Sequence, residues 1–216
     1  MAVGNNKPAW MSWGPANAAI SFLAMIVIGY VFDWKARDLI WGLWLSSLCL
    51  GALVFVSQFI VWPLIKAKGA IACLSALIGG GVMLVFFSAH YGMFHFIHSL
   101  FLSAFFPVEG MRFPAEDIKI VMYQGIVLTY WPVALITAWS QKNLFFTPGE
   151  DSNFLDRTLS AYKYVVKMHL MIFVLAAFSA FKADSFPVYV VVCVFYFFPF
   201  KAFIPSWPGW LSTDLE

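Results

Sequence analysis

The amino-acid sequence predicts an all-α protein, a polytopic membrane helix bundle of about six transmembrane helices. The first reason is composition, because 62% of the 216 residues are hydrophobic and only 11% are charged. Soluble domains carry about 25% charged residues, so this chain has too little charge to cover a solvated surface. The second reason is the arrangement of that charge, which falls between long apolar runs. Residues 1–216 are therefore predicted to form a single integral membrane domain.

Six segments are apolar enough to be transmembrane spans. A helix needs about 20 apolar residues to cross the hydrocarbon core of a bilayer. The predicted spans cover residues 16–32, 39–65, 69–106, 120–141, 162–181 and 186–204. The polar connections between them are short, and the longest covers residues 142–157. The sequence therefore predicts almost no mass outside the bilayer.

The third apolar run is longer than one span requires. Residues 69–108 contain no Asp, Glu, Lys or Arg, and as one helix they would measure about 60 Å. This is twice the thickness of the hydrocarbon core. The third helix is therefore predicted to be either unusually long or kinked. Glycines mark two candidate break points, at residues 79–81 and at Tyr91-Gly92.

The distribution of Lys and Arg predicts the orientation of the bundle. With six spans, the two termini share one side with the second and fourth loops. That side carries Lys7, Lys66, Lys68, Lys142, Arg157, Lys163, Lys167 and Lys201, which are eight basic residues. The other side carries five, namely Lys35, Arg37, Arg112, Lys119 and Lys182. The positive-inside rule then places both termini in the cytoplasm.

Several function classes are disfavoured by what the spans lack. None of the six segments contains Asp or Glu, whereas ion-coupled transporters usually hold their ion with an intramembrane carboxylate. The phosphate-binding loop, the dinucleotide fingerprint and the zinc-protease motif are also absent from the sequence. The basic residues are scattered, so no nucleic acid partner is expected. Cys49, Cys73 and Cys193 are far apart in apolar runs, which is typical of small core residues.

The spans do contain all four histidines of the protein. His90, His95 and His98 lie in the third segment and His169 lies in the fifth. On a helix, His95 is rotated 140° and His98 80° from His90, and His95 and His98 are one turn apart. These two could therefore bind a common ion. His90 is about 12 Å along the axis from His98, too far for both to ligate one ion on a straight helix.

A metal or haem site is the first interpretation of these histidines. Each imidazole buried in a membrane costs free energy unless it has a partner. Copper, zinc, iron and haem are the candidates, and a single haem between His169 and either His90 or His98 is one arrangement. The protein would then be a small membrane enzyme or a subunit of a larger membrane complex. A non-catalytic accessory subunit, whose histidines only pack and hydrogen-bond, is the alternative, and a transporter is the second alternative.

Two further expectations concern neighbours. The lipid bilayer contacts the outside of the bundle. A homo-oligomer or other membrane subunits are expected to use its apolar faces, because the glycines at residues 79–81 permit close helix approach.

The depths of His169 and His90 in the membrane decide whether they can share a site. The two come to a similar depth only if the bilayer begins near Gly81 and the start of the third helix projects from it. His90 is then about 13 Å deep. This placement of the third helix in the bilayer is the preferred one.

Two short motifs carry a family resemblance. They are His90-Tyr91-Gly92-x-Phe94-x-x-x-His98-x-x-Phe101 and Lys163-x-Val165-Val166-x-Met168-His169-Leu170. Residues 15–204 thereby resemble a prokaryotic family of multi-pass membrane proteins, a domain of unknown function of the 6498 type. The resemblance implies recurring roles for His90, His98 and His169, with His95 peculiar to this chain, and a prokaryotic inner membrane as the location. It implies no reaction and no substrate.

Overall fold

A computed structural model describes residues 14–108, 120–146 and 185–198, together with residues 166, 170, 171 and 173. Every regular element in this part of the chain is helical, so the all-α prediction is confirmed. The elements are α1 (Gly14–Val31), α2 (Ala36–Val56), a π-helical segment (Ser57–Val61), α3 (Trp62–Lys66), α4 (Ala70–Phe105), α5 (Ile120–Ser140), α6 (Asn143–Phe146) and α7 (Phe186–Phe197).

Three helices are long and apolar enough to cross a membrane. They are Ala36–Lys66, in which α2, the π-helical segment and α3 are continuous, then Ala70–Phe105 and Ile120–Ser140. Two shorter apolar helices, Ala16–Val31 and Phe186–Phe197, accompany them. The chain is therefore a membrane protein, and the count of six spans stays a prediction. Of the fifth predicted span, 162–181, only four helical positions are described. Residues 199–204 of the sixth predicted span lie outside the described residues.

Helix α2 lies in the interior of the bundle. Every residue from Leu39 to Ser47 is buried, so this half of the helix is covered on all sides. A helix that is apolar all round is typical of such an interior position. Helices α4, α5 and α7 all contact it.

Helix α4 continues without interruption for 36 residues, which is about 54 Å. The helix passes through both glycine-containing break points, so the third apolar run is one long helix and not two segments. It follows a turn in which Gly69 has a φ of 91°, a conformation that glycine adopts without steric cost. Its buried residues form one narrow stripe, consisting of Gly80, Phe87, Tyr91, His95, Ser99, Leu102 and Ser103.

The contacts of that stripe show that α4 runs antiparallel to α2. Near the C-terminus of α4, the indole N–H of Trp41 donates to the carbonyl oxygen of Phe106 at 2.8 Å. Near its N-terminus, Gly80 packs against the backbone of Phe59. A Cβ atom at position 80 would lie 2.5 Å from the Phe59 carbonyl oxygen, so only glycine fits there without a shift.

Helices α1 and α7 form a second antiparallel pair. The Tyr189 hydroxyl donates to the carbonyl oxygen of Met25 at 2.7 Å. The rings of Tyr30 and Phe186 lie 6.0 Å apart at one end of this pair. At the other end, Phe22 and Phe198 lie 5.6 Å apart. The end of α1 and the start of α7 therefore lie at the same end of the bundle, as in the predicted path of six spans.

Two groups of hydrogen bonds mark the ends of α2 and its continuation. At the Asp38 end, the Tyr130 hydroxyl donates to Asp38 Oδ1 at 2.7 Å, while the backbone N–H of Lys35 donates to Oδ2 at 2.8 Å. At the Gln58 end, Gln58 Nε2 donates to the carbonyl oxygen of Leu144 at 3.1 Å. Helix α5 therefore runs in the same direction as α2.

Candidate functional site

A buried polar cluster lies between α2 and α4 and contains one of the four histidines. Its members are Trp44, Ser47, Tyr91 and His95, called here the His95 cluster. Tyr91 and His95 are one turn apart and so share the inner face of α4, and Trp44 and Ser47 share the facing side of α2 in the same way. Only 1% of His95 is exposed. The helical spacing of these four residues thus brings them together.

The hydrogen bonds of His95 define its tautomer. Its Nδ1 lies 3.0 Å from the carbonyl oxygen of Tyr91, which can only accept, so Nδ1 carries the proton. Its Nε2 then accepts from Ser47 Oγ at 3.2 Å. The Tyr91 hydroxyl donates to the Ser47 carbonyl oxygen at 2.7 Å. The indole N–H of Trp44 donates to the His95 carbonyl oxygen at 3.0 Å. Both ring nitrogens of His95 are therefore hydrogen-bonded, and the His95 cluster joins α4 to α2.

The polar contacts continue along α4 to α5. Ser99 Oγ and the Tyr123 hydroxyl are 2.7 Å apart, and Ser103 Oγ donates to the Ser99 carbonyl oxygen at 2.6 Å. Tyr123 also stacks on Trp44, with ring centroids 6.1 Å apart. Ser99, Ser103, Tyr123 and Trp44 are not among the site residues predicted from the sequence. Their signal is the four-residue spacing of Tyr91, His95, Ser99 and Ser103, which places one polar line on a single helix face.

His90 lies on the opposite, exposed side of α4. Its ring is nearly parallel to that of Phe86, with an interplanar angle of 2° and a centroid separation of 5.9 Å. Large apolar side chains are also exposed nearby, with Met93 61% and Ile97 45% exposed. His90 therefore belongs to an apolar outer face and not to the His95 cluster.

His98 is partly exposed and has a fixed tautomer. Its Nδ1 lies 3.0 Å from the carbonyl oxygen of Phe94, so Nδ1 carries the proton. The ring also packs on Phe94 with a centroid separation of 4.5 Å. A neutral imidazole with its proton on Nδ1 carries its lone pair on Nε2, which is the form in which histidine binds metals.

The three histidines of α4 have different neighbours. His95 hydrogen-bonds to Ser47 and Tyr91, whereas His90 and His98 pack on Phe86 and Phe94. Within the described ranges, no group of three or more His, Cys, Asp or Glu side chains is placed to hold one metal ion. His169 lies outside the described residues, so the predicted proximity of His90 and His169 stays a prediction.

Comparison with known proteins gives one match. No significant match was found among curated proteins or among solved structures. A family model matches residues 10–198, a range that contains α1 to α7 and all four histidines. The range includes both motifs on which the sequence resemblance rests. The chain belongs to the family of unknown function DUF6498.

Proposed function

We propose that this protein is a membrane subunit that binds a transition metal or haem at the outer face of α4, with His98 as the first ligand. The observation that carries the proposal is the bond from His98 Nδ1–H to the Phe94 carbonyl oxygen. Histidines that ligate metals usually donate their other ring N–H to a backbone carbonyl or carboxylate, which fixes the ring and its lone pair. His98 has this arrangement.

The depth of His98 supports a covered site. His98 is eight residues from Phe106, which bonds to Trp41 near the Asp38 end, so it lies about 12 Å from that end of the helix. This depth is inside a hydrocarbon core of about 30 Å. A polar side chain at such a depth normally faces protein or a cavity, not lipid. A further helix therefore covers the face of α4 that contains His98.

The second ligand comes from outside the described residues or from another subunit. His90 is about 12 Å along the axis from His98 and cannot reach the same ion. His169, on the predicted span 162–181, is the candidate within this chain. Copper, zinc and iron all accept neutral imidazole, and a haem would take His98 and His169 as axial ligands. The proposed setting is a prokaryotic inner membrane with both termini in the cytoplasm.

The test is metal analysis together with an absorption spectrum of the full-length protein, purified without chelators. We expect near-stoichiometric metal or a haem Soret band, which His98→Ala and His169→Ala remove. His90→Ala is the matched control, since it truncates an exposed histidine on the same helix and should leave the content unchanged. A protein without metal or haem, or equal loss in all three variants, would contradict the proposal.

A second candidate is a non-catalytic accessory subunit, and the surface of α4 favours it. Outside its narrow buried stripe the helix exposes large apolar side chains, among them Val85 at 71%, Phe86 at 62% and Phe101 at 57%. A partner helix that packs there would also hydrogen-bond His90 and His98. A native complex with other membrane subunits, stable in mild detergent and free of metal and haem, would favour this candidate over the first.

A further inference from the structure

Helices α1 and α5 each carry a line of buried side chains in which polar and apolar residues are arranged in the same way. Within each line the residues are four positions apart, so their side chains lie one above another on a single helix face. The lines consist of Asn17, Ser21 and Met25 on α1, and of Gln141, Thr137 and Val133 on α5. Gln141 directly follows α5, and its backbone N–H donates to the Thr137 carbonyl oxygen at 3.0 Å. Each line therefore has two polar members and then one apolar member.

Helices α1 and α5 contact each other and run in opposite directions. The rings of Trp34, which follows the end of α1, and Tyr130 of α5 lie 5.5 Å apart at the Asp38 end of the bundle. From there α5 continues toward the Gln58 end, whereas α1 comes from the Gln58 end. The polar members of both lines consequently lie toward the Gln58 end, and the apolar members lie toward the Asp38 end.

The two hydroxyl residues of these lines lie near the middle of the membrane. Ser21 is ten residues before Val31, the last residue of α1, which corresponds to about 15 Å. Thr137 is seven residues past Tyr130, which places it about 10 Å from the same end. A hydrocarbon core is about 30 Å thick, so both hydroxyls are close to its midplane. The amide residues of the two lines lie one helical turn, about 6 Å, nearer the Gln58 end.

Both hydroxyls are enclosed without a hydrogen-bond partner. Only 2% of Ser21 and 3% of Thr137 are exposed, and neither hydroxyl oxygen bonds to any atom of the described residues. The buried hydroxyl of Ser46 differs, since it donates to the Gly42 carbonyl oxygen at 2.7 Å. A buried hydroxyl that has lost its hydrogen bonds to water and gained none is unfavourable. The two hydroxyls therefore require a partner that the described side chains around them do not supply.

We propose that water enters the bundle between α1 and α5 from the Gln58 end and binds the hydroxyls of Ser21 and Thr137 near the midplane. Water both donates and accepts hydrogen bonds, so it can satisfy the two hydroxyls and, one turn nearer the Gln58 end, the two amides. Polar side chains at this depth normally face protein or a water-filled cavity. In the predicted orientation of the chain, the Gln58 end is the cytoplasmic end.

The apolar members of the two lines close the path toward the other side of the membrane. Met25 and Val133 are both 0% exposed and belong to one hydrophobic cluster. The carbonyl oxygen of Met25 is already bonded to the Tyr189 hydroxyl, and Val133 packs against Gly42 of α2. Apolar side chains offer no hydrogen bonds to water. Water therefore reaches the middle of the membrane from one side only.

A bound cation is the alternative occupant, and charge argues against it. None of the residues in the two lines is acidic. A cation that leaves water for a membrane interior is unfavourable unless a negative charge or a full set of oxygen ligands compensates it. A neutral water molecule needs no such compensation, so it fits these uncharged polar groups better.

The first test is thermal unfolding of the full-length protein and of the variants Ser21→Ala and Thr137→Val in one detergent. Removal of a hydroxyl that binds water loses hydrogen bonds, so each variant should lower the unfolding midpoint by about 2–4 °C. The double variant should lower it by less than the sum of the two, because both substitutions disrupt the same bound water. A raised midpoint for either variant would show that the hydroxyls are dry and would overturn the proposal.

Ser103→Ala is the matched control for this coupling. The Ser103 hydroxyl is also buried, but it bonds to the Ser99 carbonyl oxygen within α4. Its effect on the midpoint should therefore add to that of Thr137→Val. Effects of Ser21→Ala and Thr137→Val that add as completely as this control pair would contradict a shared site.

Radiolytic oxidation of side chains is the second test. Hydroxyl radicals that form from bound water oxidise the side chains next to it, and Met25 lies one turn from Ser21. We expect Met25 to be oxidised although it is buried, and to be oxidised severalfold less in the variant Ser21→Ala/Thr137→Val. Met122, which is 2% exposed on α5, is the control and should be oxidised less than Met25 in the unchanged protein.

Equal oxidation of the two methionines in the unchanged protein would overturn the proposal. The unfolding midpoint should also be the same in sodium chloride and in choline chloride. A midpoint that rises only with sodium would indicate a bound cation instead of water. None of these readouts depends on a transition metal or haem, so they are independent of the site proposed at His98.

Discussion

His95 Nε2 lies 3.2 Å from Ser47 Oγ, and this contact joins the buried stripe of α4 to the central helix α2. We predict that His95→Ala destabilises the protein by about 2–4 kcal/mol, because the change opens a cavity and leaves buried polar groups without partners. Ser47→Ala should cost about 1–2 kcal/mol. The measurement is thermal unfolding of purified protein in one detergent.

His90→Ala is the matched control for this prediction. His90 is exposed on the same helix, only five residues from His95, so its truncation should change the free energy of unfolding by less than about 0.5 kcal/mol. Equal effects of the two substitutions would show that the His95 cluster is not a source of stability.

Two adjacent glycines of α4, Gly79 and Gly80, are expected to respond in opposite ways to substitution by alanine. Gly80→Ala places a methyl group against the Phe59 carbonyl oxygen and should cost about 1–3 kcal/mol. Gly79→Ala meets nothing within 4 Å and should stabilise the helix by about 0.5–1 kcal/mol. Unfolding of the two variants in the same detergent measures the difference, and a stabilising Gly80→Ala would refute the packing described here.

Asp38 connects the start of α2 to the middle of α5. Its Oδ1 accepts a hydrogen bond from the hydroxyl of Tyr130, a residue that is only 2% exposed, so Tyr130→Phe removes a partly buried hydrogen bond to a carboxylate. We expect a loss of about 1.5–3 kcal/mol. Tyr30→Phe, on a side chain that is 76% exposed, should be nearly neutral, and the two variants should be compared by thermal unfolding. Equal stability of both variants would contradict the contact.

An unbroken α4 predicts that the chain crosses the membrane once between residues 69 and 108. Topology reporters fused after Lys68 and within residues 109–114 should therefore report opposite sides. Cysteine-accessibility labelling at the same positions is an independent measurement. Reporters on the same side would mean that the third apolar run enters and leaves the membrane twice.

The positions of the helices could be predicted from the sequence because charged residues separate its apolar runs. The charge-free runs end at Asp33, Lys66 and Glu109, and helices end close to these residues at Val31, Lys66 and Phe105, because charges are excluded from the hydrocarbon core. The length of α4 could be bounded but its continuity could not. Whether glycines break a helix depends on the neighbours that they meet, and here Gly80 packs closely against the backbone of Phe59 within a continuous helix.

The sequence by itself determined the helical membrane class, the approximate bounds of the helices, and the presence of three histidines on one of them. Tertiary structure decided which histidine is buried. The angles between His90, His95 and His98 around the helix axis are the same in any bundle. The position of α2 decides that His95 faces inward against Ser47 and that His90 lies outside. A single helix contains no information about which of its faces will be covered, because that is decided by the helix that packs against it.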